Sequence, residues 1–373
     1  MHERDVIIVG GGLAGLTAAL DLTQNGIGVL VIEKTPFPRH KVCGEYVSRE
    51  VIPYLKHLGV EVETGVAIDH LLLSTQQGDS FKFQLPLGGI GISRYALDDL
   101  LYQRCLQEGV TICFDTVTDI FYEKDRFEVH TLKGETYGSS IVLAAYGKRS
   151  NLDKSLKRPF INQKSPWLAV KAHYQHPDFP INQVALHNFE GGYCGLSKTE
   201  TGAVNMCYLA SYQNFSQYRN IEDFNQNVLS RNPFLDSFLK DAQPLWKSPL
   251  SIAQVSFAKK EAVADHILYC GDTAGLIHPL CGNGMAIAIH SAKIASEGIV
   301  QFYKSKSYSR HSLEEEYRKR WKQEFGQRMR LGRTLQHILL RETLSRYLIK
   351  GLSNFPAITR KVIQKTHGKP ISL

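Results

Sequence analysis

The stretch from Val6 to Glu33 admits few folds. Val6-Ile-Ile-Val9 is a short apolar run suited to a strand buried on both faces. Gly10-Gly-Gly12-Leu13-Ala14-Gly15 follows at once, then the apolar helical stretch Leu16–Leu22, then a second buried run, Val29–Ile32, that ends at Glu33. Gly10 permits the tight turn, Gly12 lets a pyrophosphate approach the backbone, and Gly15 lets the helix pack on the strand. The helix N-terminus turns its partial positive charge to the phosphates. Glu33 lies 18 residues past Gly15, where an acid accepts hydrogen bonds from a ribose diol. Leu13, Ala14 and Lys34 complete the expected dinucleotide cradle. The acid disfavours a 2′-phosphate, so NADP is not the nucleotide expected at this place.

A distant second element separates FAD from NAD. Ile267–Cys270 reads as a strand, followed by Gly271-Asp272 and then by Pro279-Leu-Cys-Gly282-Asn-Gly284-Met285 opening an apolar helix. A carboxylate at a strand end suits a ribityl hydroxyl. A glycine-rich helix start at Gly282, Gly284 and Met285 suits the flavin pyrimidine edge, where the helix dipole favours the charge of the reduced ring. A simple nicotinamide domain has no need of this element. FAD is therefore the expected cofactor.

The paired elements resemble the FAD-dependent family that includes p-hydroxybenzoate hydroxylase-like monooxygenases, flavin halogenases and geranylgeranyl reductases. Two further stretches strengthen the resemblance. Ser93-Arg94 opens a helical stretch through Leu101, and Pro38-Arg-His40-Lys41-Val-Cys43-Gly44-Glu-Tyr-Val-Ser48 is similar to the PxxKxCGExxS segment of geranylgeranyl reductases. The resemblance implies an α/β fold: a Rossmann-like FAD-binding domain, an inserted mostly-β substrate domain and a C-terminal helical segment. It implies that the loop with Lys41, Cys43 and Gly44 runs along the isoalloxazine, with Cys43 near the reacting face, and that Arg94 contacts the flavin side. A cysteine there could shape the pocket, tune the ring or donate a proton, and Lys41 or His40 would favour its thiolate. Three departures stand out. Tyr146 occupies the place of the monooxygenases' Asp-Gly aspartate, Gly195 and Ser197 fall at the tryptophan and proline of the reductases' YxWxFP-like segment, and the halogenases' WxWxIP segment is missing.

The FAD domain is expected in three pieces, 1–70, 91–155 and 258–303, with 71–90 and 156–257 forming the substrate domain. Phe189, Tyr193, Tyr208 and Trp246 are candidates to line a greasy pocket or to form plain core. Residues 304–373 carry 17 Lys+Arg against 5 Asp+Glu, while the remainder of the chain is net acidic. Leu331, Leu335, Ile338, Leu339, Leu344, Tyr347 and Leu348 recur there near helical spacing. Two readings stand: a helix packed on the body, or peripheral contact with an anionic membrane through Arg328, Arg330, Arg333, Arg341 and Arg346. No nucleic-acid motif accompanies the charge.

Seven cysteines without a CxxC pair, and no leader-like N-terminus, suggest reduced thiols and a cytoplasmic protein. The histidines form no HxxxH or HxH cluster, so no metal is expected. The expected chemistry is either hydride reduction of a carbon–carbon double bond in a hydrophobic or lipid-like substrate, or hydroxylation of an aromatic substrate with dioxygen. In the first, Cys43 or Tyr193 supplies a proton. NAD(P)H is the expected electron donor, although Tyr146 argues against ordinary NADPH handling. A flavoprotein kept for binding or electron relay is the reading from another class.

Overall fold

The strand His2–Val9 runs through the middle of the first sheet, in a computed structural model that describes residues 2–277, 282–354, 359–361, 363–364 and 368–372. Its apolar half, Val6–Val9, is buried, while His2–Asp5 projects toward solvent. Val29–Glu33 pairs parallel on one side and Thr136–Ala144 parallel on the other. Thr111–Phe114 closes one edge; Ile267–Tyr269 and Val263–Ala264 extend the other. The parallel strands read as unbroken apolar runs because helices cover them. The helices Leu13–Gln24, Arg94–Gln107 and Gly284–Lys304 share one core with this sheet.

The second sheet contains Trp167–Gln175, Val204–Ser211, Gly192–Lys198, Gln183–Phe189, Val66–Ser74, Ser80–Gly91 and Tyr46–Ser48 in that spatial order. It is antiparallel except where Gln183–Phe189 runs parallel to Val66–Ser74. The expected boundary at residue 70 falls inside the strand Val66–Ser74, and Tyr46–Ser48 also pairs in the second sheet. The reason is a long-range pairing: His70 meets Gln183, and Gly89 leaves space that the Tyr46 ring fills.

The C-terminal segment forms the helices Arg310–Leu339 and Glu342–Asn354. Leu313, Tyr317, Trp321 and Phe325 join the first core, and the Tyr317 hydroxyl donates to the Tyr269 carbonyl at 2.7 Å. Arg328, expected among the membrane-facing cations, is instead buried and donates to Glu50 at 3.1 Å. A lone carboxylate at Glu50 could not be buried without such a partner. The Ile371 N–H donates to the Glu50 carbonyl at 2.8 Å, tying the C-terminus to the same place. Among the described residues no helix is long and apolar enough to cross a membrane.

Candidate active site

The glycine turn has the geometry its sequence predicts. Gly10 adopts φ +103°, and a Cβ there would lie 2.7 Å from the Ala145 carbonyl oxygen. A Cβ on Gly15 would lie 1.9 Å from the Gly10 carbonyl oxygen, so only glycine lets the helix approach its strand this closely. Around Gly12 the space is open. The nearest atoms to a Cβ there are 3.9 Å away, and one of them is Nη2 of Arg94. An anion at this helix N-terminus therefore meets backbone N–H groups and a guanidinium together. Glu33 is buried at its strand end, accepts from Gly11 N at 2.7 Å, and pairs with Arg39 at 2.7 Å.

Cys270 N donates to the Ala144 carbonyl at 2.9 Å, which carries Gly271 and Asp272 to the mouth of the glycine turn. Gly271 has φ +58° and Gly282 φ +63°; a Cβ on Gly282 would press the Tyr46 ring at 3.2 Å. Gly284 and Met285 open the long helix, whereas Pro279 and Cys281 lie outside the described residues. Lys260 donates to the carbonyls of Asp272 and Lys148, both at 2.8 Å, and burial holds its pKa down at about 8 despite Asp272.

The Cys43 loop is held by backbone carbonyls in succession. Those of Lys41, Val42 and Cys43 accept from Lys171 Nζ at 3.1 Å, Lys148 Nζ at 3.1 Å and Asn205 Nδ2 at 3.2 Å. Gly44 is open, and Glu45 follows at φ +54° with its carboxylate fully buried. One Glu45 oxygen accepts from Lys171 Nζ and from the Arg94 N–H at 2.7 Å; the other bonds His173 Nε2 at 2.7 Å. Burial alone would push the Glu45 carboxyl up. The His173 hydrogen bond and the Lys171 charge outweigh it and hold the pKa below the ordinary value. His40 sits against His173 and Trp246, so His40, Glu45 and His173 form a group of metal-ligand type that spacing along the chain does not reveal. Lys171 already provides the positive charge that Glu45 needs.

Lys41 and Arg94 converge on Asp98. Arg94 Nε and Nη2 each reach it at 2.8 Å and Lys41 Nζ at 2.7 Å. The Lys41 ammonium is thus engaged by Asp98, where the sequence had suggested Cys43 as its neighbour. Burial would raise the Asp98 pKa, but Arg94 and Lys41 reverse it to a depressed value; Lys41 itself is lowered by burial and by Arg94 against the pull of Asp98. A depressed carboxylate stabilises the fold at and above its unfolded pKa of about 3.9, and the contribution is lost as pH falls through the lower folded value. Asp98→Asn is expected to cost about 1–3 kcal/mol at neutral pH and to flatten the acid limb of the stability curve below about pH 4. Denaturant titrations from pH 7 downward check this; an unchanged acid limb sinks it.

These groups surround a cavity of about 660 Å³. Gly12, Glu33, Arg94 and Asp272 line it, with Leu13, Ala14, Lys34, Gly284 and Met285 also on the wall. Cys43, Tyr193 and Tyr208 also line it. Phe189 and Trp246 do not line it: Phe189 packs with Phe224 and Tyr208 in the core of the second sheet, and Trp246 packs at a tilt against His40 and His173. Much of the remaining wall is apolar. Leu71, Leu73, Phe81, Val184 and Leu186 come from the second sheet, and Leu335, Leu339, Leu348 and Leu352 from the C-terminal helices.

The sequence profile described as FAD binding domain matches residues 3–325. The chain belongs to the FAD binding domain family. It is a FAD-dependent oxidoreductase. It is 27% identical over 342 residues to the digeranylgeranylglycerophospholipid reductase of Methanocaldococcus jannaschii, covering 86% of this chain and 82% of the relative. The fold matches the flavin-dependent brominase Bmp2 (TM-score 0.81, 18% identity, 98% of this chain and 93% of the other). It also matches a geranylgeranyl bacteriochlorophyll reductase-like protein of Thermoplasma acidophilum (TM-score 0.78, 20% identity, 98% and 96%). The donor set fits FAD. The open face of Gly12 beside Arg94 would take the pyrophosphate, the acid at Glu33 the ribose, Asp272 the ribityl chain, and the start of the helix Gly284–Lys304 the pyrimidine edge.

Sequence reasoning overlooked Asp98, Lys171, His173, Lys148 and Lys260. Asp98 was within reach, since it lies four residues past Arg94 on one helix face. Lys171 in the middle of the apolar run Trp167–Tyr174 was also a signal, because a lysine buried in a strand needs an acid. Its partner Glu45 is 126 positions away, which no local pattern reports.

Proposed function

We propose that this flavoenzyme reduces a carbon–carbon double bond in a long apolar chain, the substrate class being isoprenoid or similar lipid chains. The observation that carries this reading is the cavity, in which the glycine turn, Glu33 and Asp272 share one wall with Cys43 and with many leucines. Bound FAD would supply the hydride. The leucines hold the chain and exclude water, and the Cys43 thiol holds the proton that balances the hydride, so the product gains two hydrogens. Tyr193, buried on the same wall, is the second candidate donor. The reductase of M. jannaschii, at 27% identity, supports the substrate class. NAD(P)H is the proposed electron source, with Tyr146 engaged by Asp153 at 2.8 Å where the monooxygenases carry their aspartate.

One observation favours hydroxylation of an aromatic substrate instead. Gly195 lines the cavity where the reductases carry a tryptophan, which leaves room for a ring. Lipid mass spectrometry of a host with and without the protein separates the two. A product heavier by two hydrogens supports the reductase; one heavier by an oxygen atom overturns it. Cys43→Ala is expected to keep its flavin and lose turnover by about 10²-fold or more. Unchanged turnover would reduce Cys43 to a wall residue.

A further inference from the structure

The helix Glu342–Asn354 has two faces that do different work. Leu348 and Leu352 turn inward and line the cavity, as do Leu335 and Leu339. On the outer face Leu344 is 40% exposed and Tyr347, one turn further, is 73% exposed. Arg341 lies three residues before Leu344 and Lys350 three past Tyr347, and both are exposed, as are Arg330, Arg333, Arg360 and Lys361 in the same basic stretch. From 330 to 361, beyond the buried Arg328, the sequence holds seven Lys and Arg against a single acid, Glu342. Arg346 reaches across to Asp79 at 3.0 Å and moors the helix to the second sheet.

We propose that this face docks on an anionic phospholipid bilayer. An exposed tyrosine and leucine within a stretch rich in exposed cations combine the two signals that hold a protein on such a surface: shallow apolar insertion and attraction to acidic headgroups. Tyrosine suits that depth because its ring is apolar and its hydroxyl stays wet. The net positive charge belongs to residues 304–373, while residues 1–303 are net acidic, which favours this end of the chain on a negative surface. Docked this way, the leucine-lined wall that this helix gives the cavity lies one helix thickness from the lipid. That delivery role rests on the apolar-chain substrate proposed above; the docking itself rests on the exposed face.

The test is co-sedimentation of the purified full-length chain with vesicles of phosphatidylcholine alone and of phosphatidylcholine mixed with phosphatidylglycerol. Binding is expected to the mixed vesicles only. It is expected to fall away at about 1 M salt, where screening acts within about 3 Å. The double variants Leu344→Asp/Tyr347→Asp and Arg333→Glu/Arg341→Glu are each expected to weaken binding about tenfold or more, with flavin content equal to the parent. Equal pelleting with neutral vesicles, or none with either, overturns the proposal. So does salt-sensitive binding that survives Leu344→Asp/Tyr347→Asp, which would mark a general polyanion patch. Product mass measured with detergent-dispersed lipid reads the reductase separately, so a soluble reductase and a docked non-reductase are told apart.

Discussion

Glu45→Ala is expected to destabilise the protein by about 3–5 kcal/mol, the cost of leaving buried charge without its partner. Lys171 is completely buried, and among the described residues Glu45 is the acid its ammonium pairs with. Removing the carboxylate also strips His173 Nε2 and the Arg94 N–H of their acceptor. Three structural pieces meet at this side chain: the Cys43 loop, the first turn of the helix Arg94–Gln107, and the strand Trp167–Gln175. The loss should therefore appear both as a lower denaturant midpoint and as weaker flavin retention. Replacing Lys171 as well, in Glu45→Leu/Lys171→Met, should recover part of the stability, since an apolar pair of similar volume no longer strands a charge. Additive losses in the double variant would show that Glu45 and Lys171 do not act as a pair. The folded-state pKa of Glu45 is depressed, so its contribution persists at neutral pH and disappears only as pH falls below about 4.

Gly15→Val is expected to abolish flavin binding and to leave little folded protein. The first side-chain carbon would sit 1.9 Å from the Gly10 carbonyl oxygen, a backbone atom that cannot rotate away. The helix Leu13–Gln24 would have to leave its strand, opening the buried contacts of Val6–Val9 and the phosphate cradle at once. Asp272→Ala is the contrasting variant. Its backbone lies in a short turn held by other groups, so the protein should fold and lose flavin affinity by about 10–100-fold, as for one hydrogen bond to a charged acceptor. Flavin absorbance per chain, measured beside circular dichroism, separates the two. A yellow, folded Gly15→Val would refute the helix–strand contact, and full flavin in Asp272→Ala would remove that acid from the cofactor site.

The pattern of success and failure in reading the sequence has a physical basis. The strand–glycine turn–helix unit was legible because its determinants are local: the three pieces are consecutive in the chain, and Gly10 and Gly15 answer steric demands of their neighbours. The edge of the second sheet was not, because Val66–Ser74 takes its register from Gln183–Phe189 more than a hundred residues later. The basic C-terminal stretch was legible as an amphipathic helix, yet periodicity does not say what an apolar stripe faces. Arg328 looked like a surface cation and is the buried partner of Glu50.

By itself, then, the sequence determined the strand, glycine turn, helix and strand from Val6 to Glu33 and the second glycine-rich element at Gly271 and Gly282–Gly284. These are short-range consequences of backbone sterics and helix dipoles. Only the tertiary structure decided which charges are shared in the interior and where the leucines of the C-terminal helices point. Burial of an ion such as Lys171 or Asp98 is tolerable only when a partner arrives from elsewhere in the chain, and a cavity exists only where several distant elements close around it. Those are properties of packing between segments, which no window of sequence contains.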